Sequence, residues 1–400
     1  MNDNPANSRL TFPSATDYAN RVERARTAMK REGIDVLALS GVDNHRFFTG
    51  LDGIPVVRPI WFVLPRDGAP AFVSPRIEAS EIQAQCGVPV AAEWVEWEEP
   101  AKTPMSFAVA LANHLGKVAP TARTVGVDFD GTWARNLELA KETIGAERIK
   151  DVSASLREVR RLKDAATIDV VRRCADIVTQ QFKASREVIA PGIADWEVAL
   201  ASRSAAMRRA ADWWNGDEEH APLVQGFHVM ASGERSSRAH PSAGGRTMRE
   251  GDIMQLCYCG RPFFGHGICF DRPVVVGSKA LPAEVRKIVD VARAAQEAAL
   301  AKVRPGVKAG EVHAAAVEVI QRGGWDNPFR HRTGRGVGLS DPEWPELKAN
   351  DPTVLEPGML LGVEPGVYIA GVGGARFGDT ILVTETGYEP LTPLDLGRAI

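Results

Sequence analysis

The stretch LEPGMLLGVEPGVYI, residues 355–369, joins a Glu-Pro-Gly turn signal to an apolar run typical of a strand. A similar pattern, REGDIMQL, begins at Arg249. Ahead of them, PGIADWEV begins at Pro191 and PGVKAGEV begins 114 residues later at Pro305. Each of these two motifs follows a long helical pattern and opens an alanine-rich one. We therefore predict that residues 160–400 form two related helix–helix–strand halves with a buried site in the cleft between them.

The preceding residues alternate between helix-like and strand-like segments, as an α/β domain does. The patterns predict helices at 18–31 and 133–142, and strands at 35–39, 60–64, 71–73 and 125–128. Polar residues from 151 to 164 separate this region from the duplicated one. We predict an N-terminal domain of residues 1–155 and a C-terminal domain of residues 156–400.

The charge balance argues against two classes of partner. The 400 residues carry 48 Lys and Arg against 51 Asp and Glu, a net charge of −3. No block of like charge occurs, so neither nucleic acid nor an anionic membrane is expected to bind.

Apolar runs such as 60–64 are far shorter than the ~20 residues that span a bilayer. The N-terminus lacks a signal-peptide pattern and the cysteine count of five is odd, which favours a cytoplasmic protein.

Six motifs in a fixed order carry a resemblance to a known family: SGERSSRAHP from Ser232, REGDIMQL from Arg249, GHGICFDRP from Gly265, TGRGVGL from Thr333, LEPGMLLGVEPGVYI from Leu355 and ARFGDTILVTETG from Ala375. By these motifs the chain resembles the creatinase and aminopeptidase P family, over nearly its whole length. The resemblance implies an α/β N-terminal domain followed by an α+β C-terminal domain with the duplicated pita-bread fold.

Metallopeptidases of this family bind two metal ions through two Asp, one His and two Glu. At the matching positions this chain has Cys257, Cys269, Arg335, Glu364 and Gly378, so only Glu364 is a ligand of the family's type. The hairpin after Cys257 is one residue longer than usual, which leaves the first position open to a shift by one. Hard divalent ions prefer oxygen ligands, and an arginine repels cations. We therefore expect no metal and no other cofactor.

Metal-free creatinase is the closer match. By that resemblance His240 is the catalytic proton carrier, Asp271 and Glu364 hold the cationic end of the substrate, and Arg58 grips its carboxylate across a subunit boundary. Arg335 is expected to bind the carboxylate as well. Residue chemistry alone leaves other roles open: His240 as a structural or exposed histidine, Arg58 as a surface arginine, and the two carboxylates in ion pairs with Arg272, Arg335 or Arg376.

The expected function is metal-independent hydrolysis of a C–N bond in a small nitrogen-containing carboxylate, by a homodimer. A lyase or ring-opening hydrolase acting on a zwitterionic carboxylate is the first alternative, because related family members perform both reactions. A metal-dependent Xaa-Pro peptidase and a non-catalytic binding protein are the others. The substrate and the choice between hydrolysis and elimination stay open.

The three clustered cysteines have three interpretations. Cys257 and Cys259 are predicted to share one face of a strand, with Cys269 on the neighbouring strand. Core packing is the first interpretation. Alternatively, the three thiolates and His266 bind one Zn²⁺, or Cys269 is a nucleophile activated by His240.

Overall fold

A computed structural model of the chain describes residues 13–52, 57–97, 103–214, 218, 224–226, 229–325, 331–340 and 343–398. The main boundary between two compact units falls between Arg160 and Arg161. Among the residues described, every helix is too short or too polar to cross a lipid bilayer.

The N-terminal unit is built on a six-stranded mixed sheet in the order β4-β3-β2-β1-β5-β6. Its strands are β1 (Val36–Leu39), β2 (Trp61–Pro65), β3 (Ala71–Pro75), β4 (Val90–Trp94), β5 (Val125–Val127) and β6 (Ile149–Asp151). Its helices are α1 (Ala15–Glu32), α2 (Val42–Thr49), α3 (Ala79–Gln85), α4 (Phe107–Val118), α5 (Ala134–Ile144) and α6 (Ser153–Arg161). The segments predicted from the sequence reappear here, with ends that differ by up to three residues.

Local sequence explains the first helix and the sheet. Helix α1 begins at a capping box formed by Ser14 and Asp17 and ends at Gly33, whose φ of 68° suits a residue without a Cβ. Strands β1 and β2 are buried along their whole length. Strands covered on both faces read as continuous apolar runs, which is why 35–39 and 60–64 lack a polar alternation.

The C-terminal unit contains two pairs of helices. They are α7 (Ala165–Val188) with α8 (Asp195–Trp214), and α9 (Ala283–Lys302) with α10 (Ala309–Arg322). Its strands are β7 (Gln225–Gly226), β8 (Val229–Ser232), β9 (Ile253–Cys257), β10 (Gly260–Phe263), β11 (His266–Ile268), β12 (Asp271–Val275), β13 (Gly334–Gly336), β14 (Glu343–Leu347), β15 (Leu360–Val363), β16 (Gly366–Ile369), β17 (Gly373–Arg376), β18 (Asp379–Val383) and β19 (Tyr388–Pro390). The strands form sheets β12-β9-β8 and β14-β13-β15-β18-β19, with smaller sheets β11-β10-β7 and β16-β17.

The predicted duplication is confirmed by matching backbone contacts in the two halves. Gly192 N–H donates to the Met248 carbonyl, and Gly306 N–H donates to the Leu355 carbonyl, both at 3.0 Å. The neighbouring residues pair in the same way, as Ala194 with Thr247 and Lys308 with Val354. Thus the two sequence repeats occupy equivalent structural positions.

Strands from the two halves meet where β12 and β18 begin. Asp271 N–H donates to the Gly378 carbonyl at 3.0 Å, and Gly378 N–H donates back to the Asp271 carbonyl at 3.2 Å. Asp271 opens β12, and Gly378 lies just before β18. This exchange of hydrogen bonds fixes the ends of several strands, and the side chains that they carry, around a common centre.

Candidate active site

The centre of the C-terminal unit contains a cavity of about 170 Å³. It is lined by His240, Cys257, Cys259, His331, Arg332, Arg335, Glu364 and Arg376. Strand ends supply three of these residues: Cys257 ends β9, Arg376 ends β17 and Glu364 follows β15. Antiparallel pairing holds Arg335 of β13 opposite Gly362 of β15, two residues before Glu364. Three of the residues predicted for the site, His240, Arg335 and Glu364, therefore share one cavity.

Two buried guanidinium–carboxyl pairs dominate the electrostatics of the site. The Arg335 guanidinium donates to Glu364 Oε1, and Arg376 Nη2 lies 3.0 Å from Asp271 Oδ1. All four side chains are buried, and Asp271 is fully so. Among the partners that the sequence left open, Glu364 thus takes Arg335 and Asp271 takes Arg376. Arg272 instead binds Asp379, at 2.8 Å.

These pairs bear on the expected roles of the two carboxylates. A substrate cation would have to compete with a guanidinium of the chain itself for each carboxylate. A guanidinium has five N–H donors, so Arg335 and Arg376 can serve an internal carboxylate and still donate to a ligand in the cavity. The arrangement therefore favours an anionic or carbonyl oxygen as the ligand group at this point.

The thiols lie against the same carboxylates. Cys259 Sγ is 3.3 Å from Glu364 Oε2 and 3.8 Å from Cys269 Sγ. Cys269 Sγ is 3.4 Å from Asp271 Oδ2 and from Glu364 Oε2. The predicted placement of Cys259 on one strand with Cys257 is wrong, because β9 ends at Cys257 and Cys259 lies in the link to β10. All five cysteines are buried free thiols.

Burial and neighbouring charges shift the pKa values of these groups in opposite directions. Burial raises the pKa of Glu364 to about 8, although Arg335 opposes the shift. Burial likewise raises the pKa of Asp271 to about 6, with Arg376 opposing. Hydrogen bonds from Cys257 and Cys269, together with Arg335 and Arg376, hold the pKa of Cys259 well below its usual range. These shifts favour the thiolate form of Cys259 and the protonated form of Glu364.

His240 lies at the mouth of the cavity on an exposed loop after β8. Partial burial lowers its pKa below the ordinary 6.5, and Arg376 contributes to the same shift. The imidazole is therefore neutral at pH 7 and can accept a proton. The sequence prediction of His240 as the proton carrier is compatible with this position.

The residues at the family's metal positions do not suit two hard divalent ions. Four possible ligands, Cys259, Cys269, Asp271 and Glu364, lie within 4.8 Å of one another, but both carboxylates are bound by guanidinium groups. A Cβ added at Gly378 would overlap the Asp271 carboxylate and lie 3.0 Å from Cys269 Sγ. The space for a ligand side chain at 378 is thus already filled.

The alternative interpretation of the cysteines, a zinc site of three thiolates and His266, is contradicted in its composition. His266 Nδ1 is bonded to the Phe264 carbonyl at 2.7 Å. Neither His266 nor Cys257 belongs to the group of four side chains close enough to share an ion.

Arg58 belongs to the N-terminal unit. There its Nε donates to Glu96 at 2.7 Å, and it lines a cavity of about 100 Å³ with Trp133 and Asn136. The other predicted site residues belong to the C-terminal unit, and the action of Arg58 across a subunit boundary stays a prediction.

Five residues of the cavity were not among those predicted for catalysis or substrate binding: Cys257, Cys259, His331, Arg332 and Arg376. His331 Nε2 is 2.8 Å from the Tyr368 hydroxyl, and its burial lowers its pKa to about 3, so it is neutral. Strand alternation offered no signal for the last three of these side chains, because His331 and Arg332 lie before β13 begins and β17 ends at Arg376, before Gly378.

The fold and the site define the class of protein. The chain belongs to metallopeptidase family M24, whose model matches residues 169–385. The creatinase/prolidase N-terminal domain matches residues 21–162. The predicted resemblance and the pita-bread fold are therefore confirmed.

Individual relatives differ in activity. The chain is 56% identical to the agropine synthesis cyclase of Rhizobium rhizogenes, over 97% of this chain and 98% of that protein. It is 31% identical to the Xaa-Pro dipeptidase of Pyrococcus furiosus, over 69% of this chain and 75% of that protein. Among solved structures, dipeptidase PepE from Mycobacterium ulcerans superposes with a TM-score of 0.79 at 27% identity, covering 96% of this chain and 97% of that one. The family is one of enzymes, and these relatives include a cyclase as well as peptidases.

Proposed function

We propose that this chain makes and breaks one acyl bond within a small carboxylate, closing or opening a ring without a catalytic metal pair. The observation that carries the proposal is the pair of buried guanidiniums, Arg335 and Arg376, on the cavity where metallopeptidases of the family bind metal. They supply fixed positive charge to a carboxylate or to the oxyanion that forms when an acyl carbon is attacked.

The size of the cavity supports a small substrate. Its volume of about 170 Å³ is below the ~300–1,000 Å³ typical of sites for drug-sized ligands. A compact acyl group bound by two guanidiniums fits this space better than an extended peptide does.

Acid and base roles follow from the opposite pKa shifts. His240, with its pKa lowered, accepts the proton of the attacking hydroxyl or amine. Glu364, with its pKa raised to about 8, is protonated at neutral pH and donates to the leaving group. Two groups in one cavity whose pKa values are moved apart are the usual arrangement of a catalytic acid and base.

Ring closure and ring opening are one reaction run in two directions, so the same residues catalyse both. The C–N hydrolysis expected from the sequence is the opening direction when the ring atom is nitrogen. The relative at 56% identity is named a cyclase in agropine synthesis, which supports ring closure as the reaction class for this chain. The proposal also includes a homodimer, in which Arg58 binds the substrate carboxylate. It further includes a reducing cytoplasmic compartment, which suits five free thiols.

The test uses agropine and the open-chain product of its alkaline hydrolysis as the two probe substrates. We expect the purified chain to interconvert them, seen by mass spectrometry as the gain or loss of one water, at a rate that chelator does not change. Elemental analysis of the same preparation should give far less than one metal ion per chain.

Two parallel assays address the peptidase alternative and the binding-protein alternative. Xaa-Pro dipeptides, incubated with and without Mn²⁺, should yield no free proline. Mn²⁺-dependent dipeptide cleavage, or turnover of neither ring compound by the folded chain, would refute the proposed function.

A further inference from the structure

Cys259 is placed differently from the other two clustered thiols. It lines the cavity, as Cys257 does, whereas Cys269 does not. Cys259 is 6% exposed and Cys257 is 0% exposed, so Cys259 is the more accessible residue of the two. Its Sγ lies 3.3 Å from the carboxyl group of Glu364, which is the catalytic acid of the proposed reaction.

We propose that Cys259 is a covalent nucleophile that carries the acyl group of the substrate as a thioester. The inference rests on the proposed function and deepens it, because it names the group to which the acyl carbon is transferred. It replaces Cys269, which the sequence offered as the nucleophile, on the ground that Cys259 and not Cys269 reaches the cavity.

The groups around Cys259 favour the thiolate form. Cys257, Cys269, Asp271, Glu364 and His240 face the sulfur together with the guanidiniums of Arg335 and Arg376. With Glu364 protonated, the two guanidiniums balance the negative charges of Asp271 and the Cys259 thiolate. The thiols of Cys257 and Cys269 keep their protons, since burial raises the pKa of each, and both hydrogen-bond to the Cys259 sulfur.

A thiolate of this kind can perform the reaction in two balanced steps. In ring opening, Cys259 Sγ forms a bond to the acyl carbon, and the carbonyl electron pair moves to the oxygen that faces the guanidiniums. The ring C–O or C–N bond then breaks, and Glu364 protonates the departing atom. Water, deprotonated by His240, attacks the thioester, and the thiolate leaves. Ring closure is the reverse, with the substrate's own hydroxyl or amine attacking the thioester and water as the leaving product.

Cys86 and Cys174 have neither the access to the cavity nor the lowered pKa of Cys259. Cys86 lies in the N-terminal unit, and burial raises the pKa of its thiol. Cys174 is fully buried in α7, with its sulfur 3.7 Å from the Phe263 carbonyl. Neither thiol lines the cavity, so each serves as an internal comparison.

Alkylation with iodoacetate and iodoacetamide tests the proposal without a substrate. We expect the native chain to incorporate one carboxymethyl group, mapped by peptide mass spectrometry to Cys259, and to react faster than N-acetylcysteine below about pH 7. Because guanidiniums surround the sulfur, iodoacetate should be favoured over iodoacetamide by about tenfold relative to the free thiol.

Variants test whether Cys259 is the residue that carries the rapid label. Cys259→Ser should abolish the rapid label, whereas Cys86→Ser should keep it, and Arg335→Gln should reduce the preference for iodoacetate. Circular dichroism and thermal unfolding establish that each variant is folded. Labelling of Cys257 or Cys269 ahead of Cys259, or a native chain slower than N-acetylcysteine at every pH, would overturn the proposal.

A trapping experiment separates this inference from the proposed function. If the chain turns over one of the two ring compounds, the reaction is quenched with acid during turnover. The quenched protein should carry an acyl adduct on Cys259 that hydroxylamine removes. Turnover that survives in Cys259→Ser would overturn the nucleophile and leave the reaction class intact. Selective labelling of Cys259 with no turnover of either ring compound would instead refute the reaction class, and the reactive thiolate would stand.

Discussion

Replacement of Gly378 by alanine tests whether the Asp271 carboxylate has taken the space of a lost metal ligand. The added Cβ would lie 2.9 Å from Asp271 Cγ and 3.0 Å from Cys269 Sγ, where ordinary contacts are about 3.5–4 Å. Overpacking of a core by a methyl group costs ~1–3 kcal/mol. Shifting the buried carboxylate on its guanidinium adds about 2 kcal/mol, less than the ~3–5 kcal/mol that removing one partner of a buried ion pair costs.

We therefore expect Gly378→Ala to lower the free energy of unfolding by about 3–5 kcal/mol. At roughly 2–4 °C per kcal/mol for a unit of this size, the melting temperature should fall by about 6–20 °C. Urea titration followed by tryptophan fluorescence gives the free energy, and calorimetry gives the temperature.

Gly387→Ala is the matched control, because a Cβ there meets no atom within 4 Å. It should change stability by less than about 1 kcal/mol. Removing the carboxylate in Asp271→Ala should make room for the methyl group, so that Gly378→Ala is at least ~1 kcal/mol milder in that background. A Gly378→Ala variant as stable as the control, or no coupling with Asp271→Ala, would show that the carboxylate does not fill this space.

Two further predictions concern catalysis. His240→Asn should lower kcat by ~10²–10⁴-fold and remove the acid limb of the pH–rate profile. That limb should fall below pH 6.5, because the pKa of His240 is lowered, while the basic limb should lie near the raised pKa of Glu364, about 8. His114→Asn, in the N-terminal unit, is the control, and an unchanged acid limb in the His240 variant would exclude His240 as the base. Arg58→Gln should raise KM for the carboxylate substrate by about tenfold with little change in kcat, whereas Arg76→Gln, which removes a similar ion pair with Glu93, should not. Sedimentation should give a dimer, and a fully active monomer would contradict a role for Arg58 across subunits.

The fold could be predicted because its signals are local and repeated. Helical periodicity and turn residues identify each element, and the PG motifs at Pro191 and Pro305 mark equivalent positions in the two halves. The order of six motifs then fixes their arrangement. His240, Arg335 and Glu364 could be placed in one site because each belongs to such a motif.

The rest of the site depends on features that no local pattern specifies. The Asp271–Arg376 pair forms because Gly378 lets the start of β12 in one half approach the start of β18 in the other, and only the fold brings these residues together. The position of Cys259 depends on where β9 ends and on an irregular register in the β10–β11 hairpin. A hairpin one residue longer than usual gave a sign of that irregularity, but it did not indicate which sulfur would face the cavity.

The two halves contribute different chemistry to the cavity. The clustered sulfur atoms, on Cys257, Cys259 and Cys269, come from the first half, whereas the guanidiniums of Arg335 and Arg376 come from the second. The guanidiniums of the second half are placed to bind an anion and also lower the pKa of Cys259 in the first half, so a change in the second half alters affinity and reactivity together. Protein engineers who redirect specificity through one half must therefore retune the other half with it.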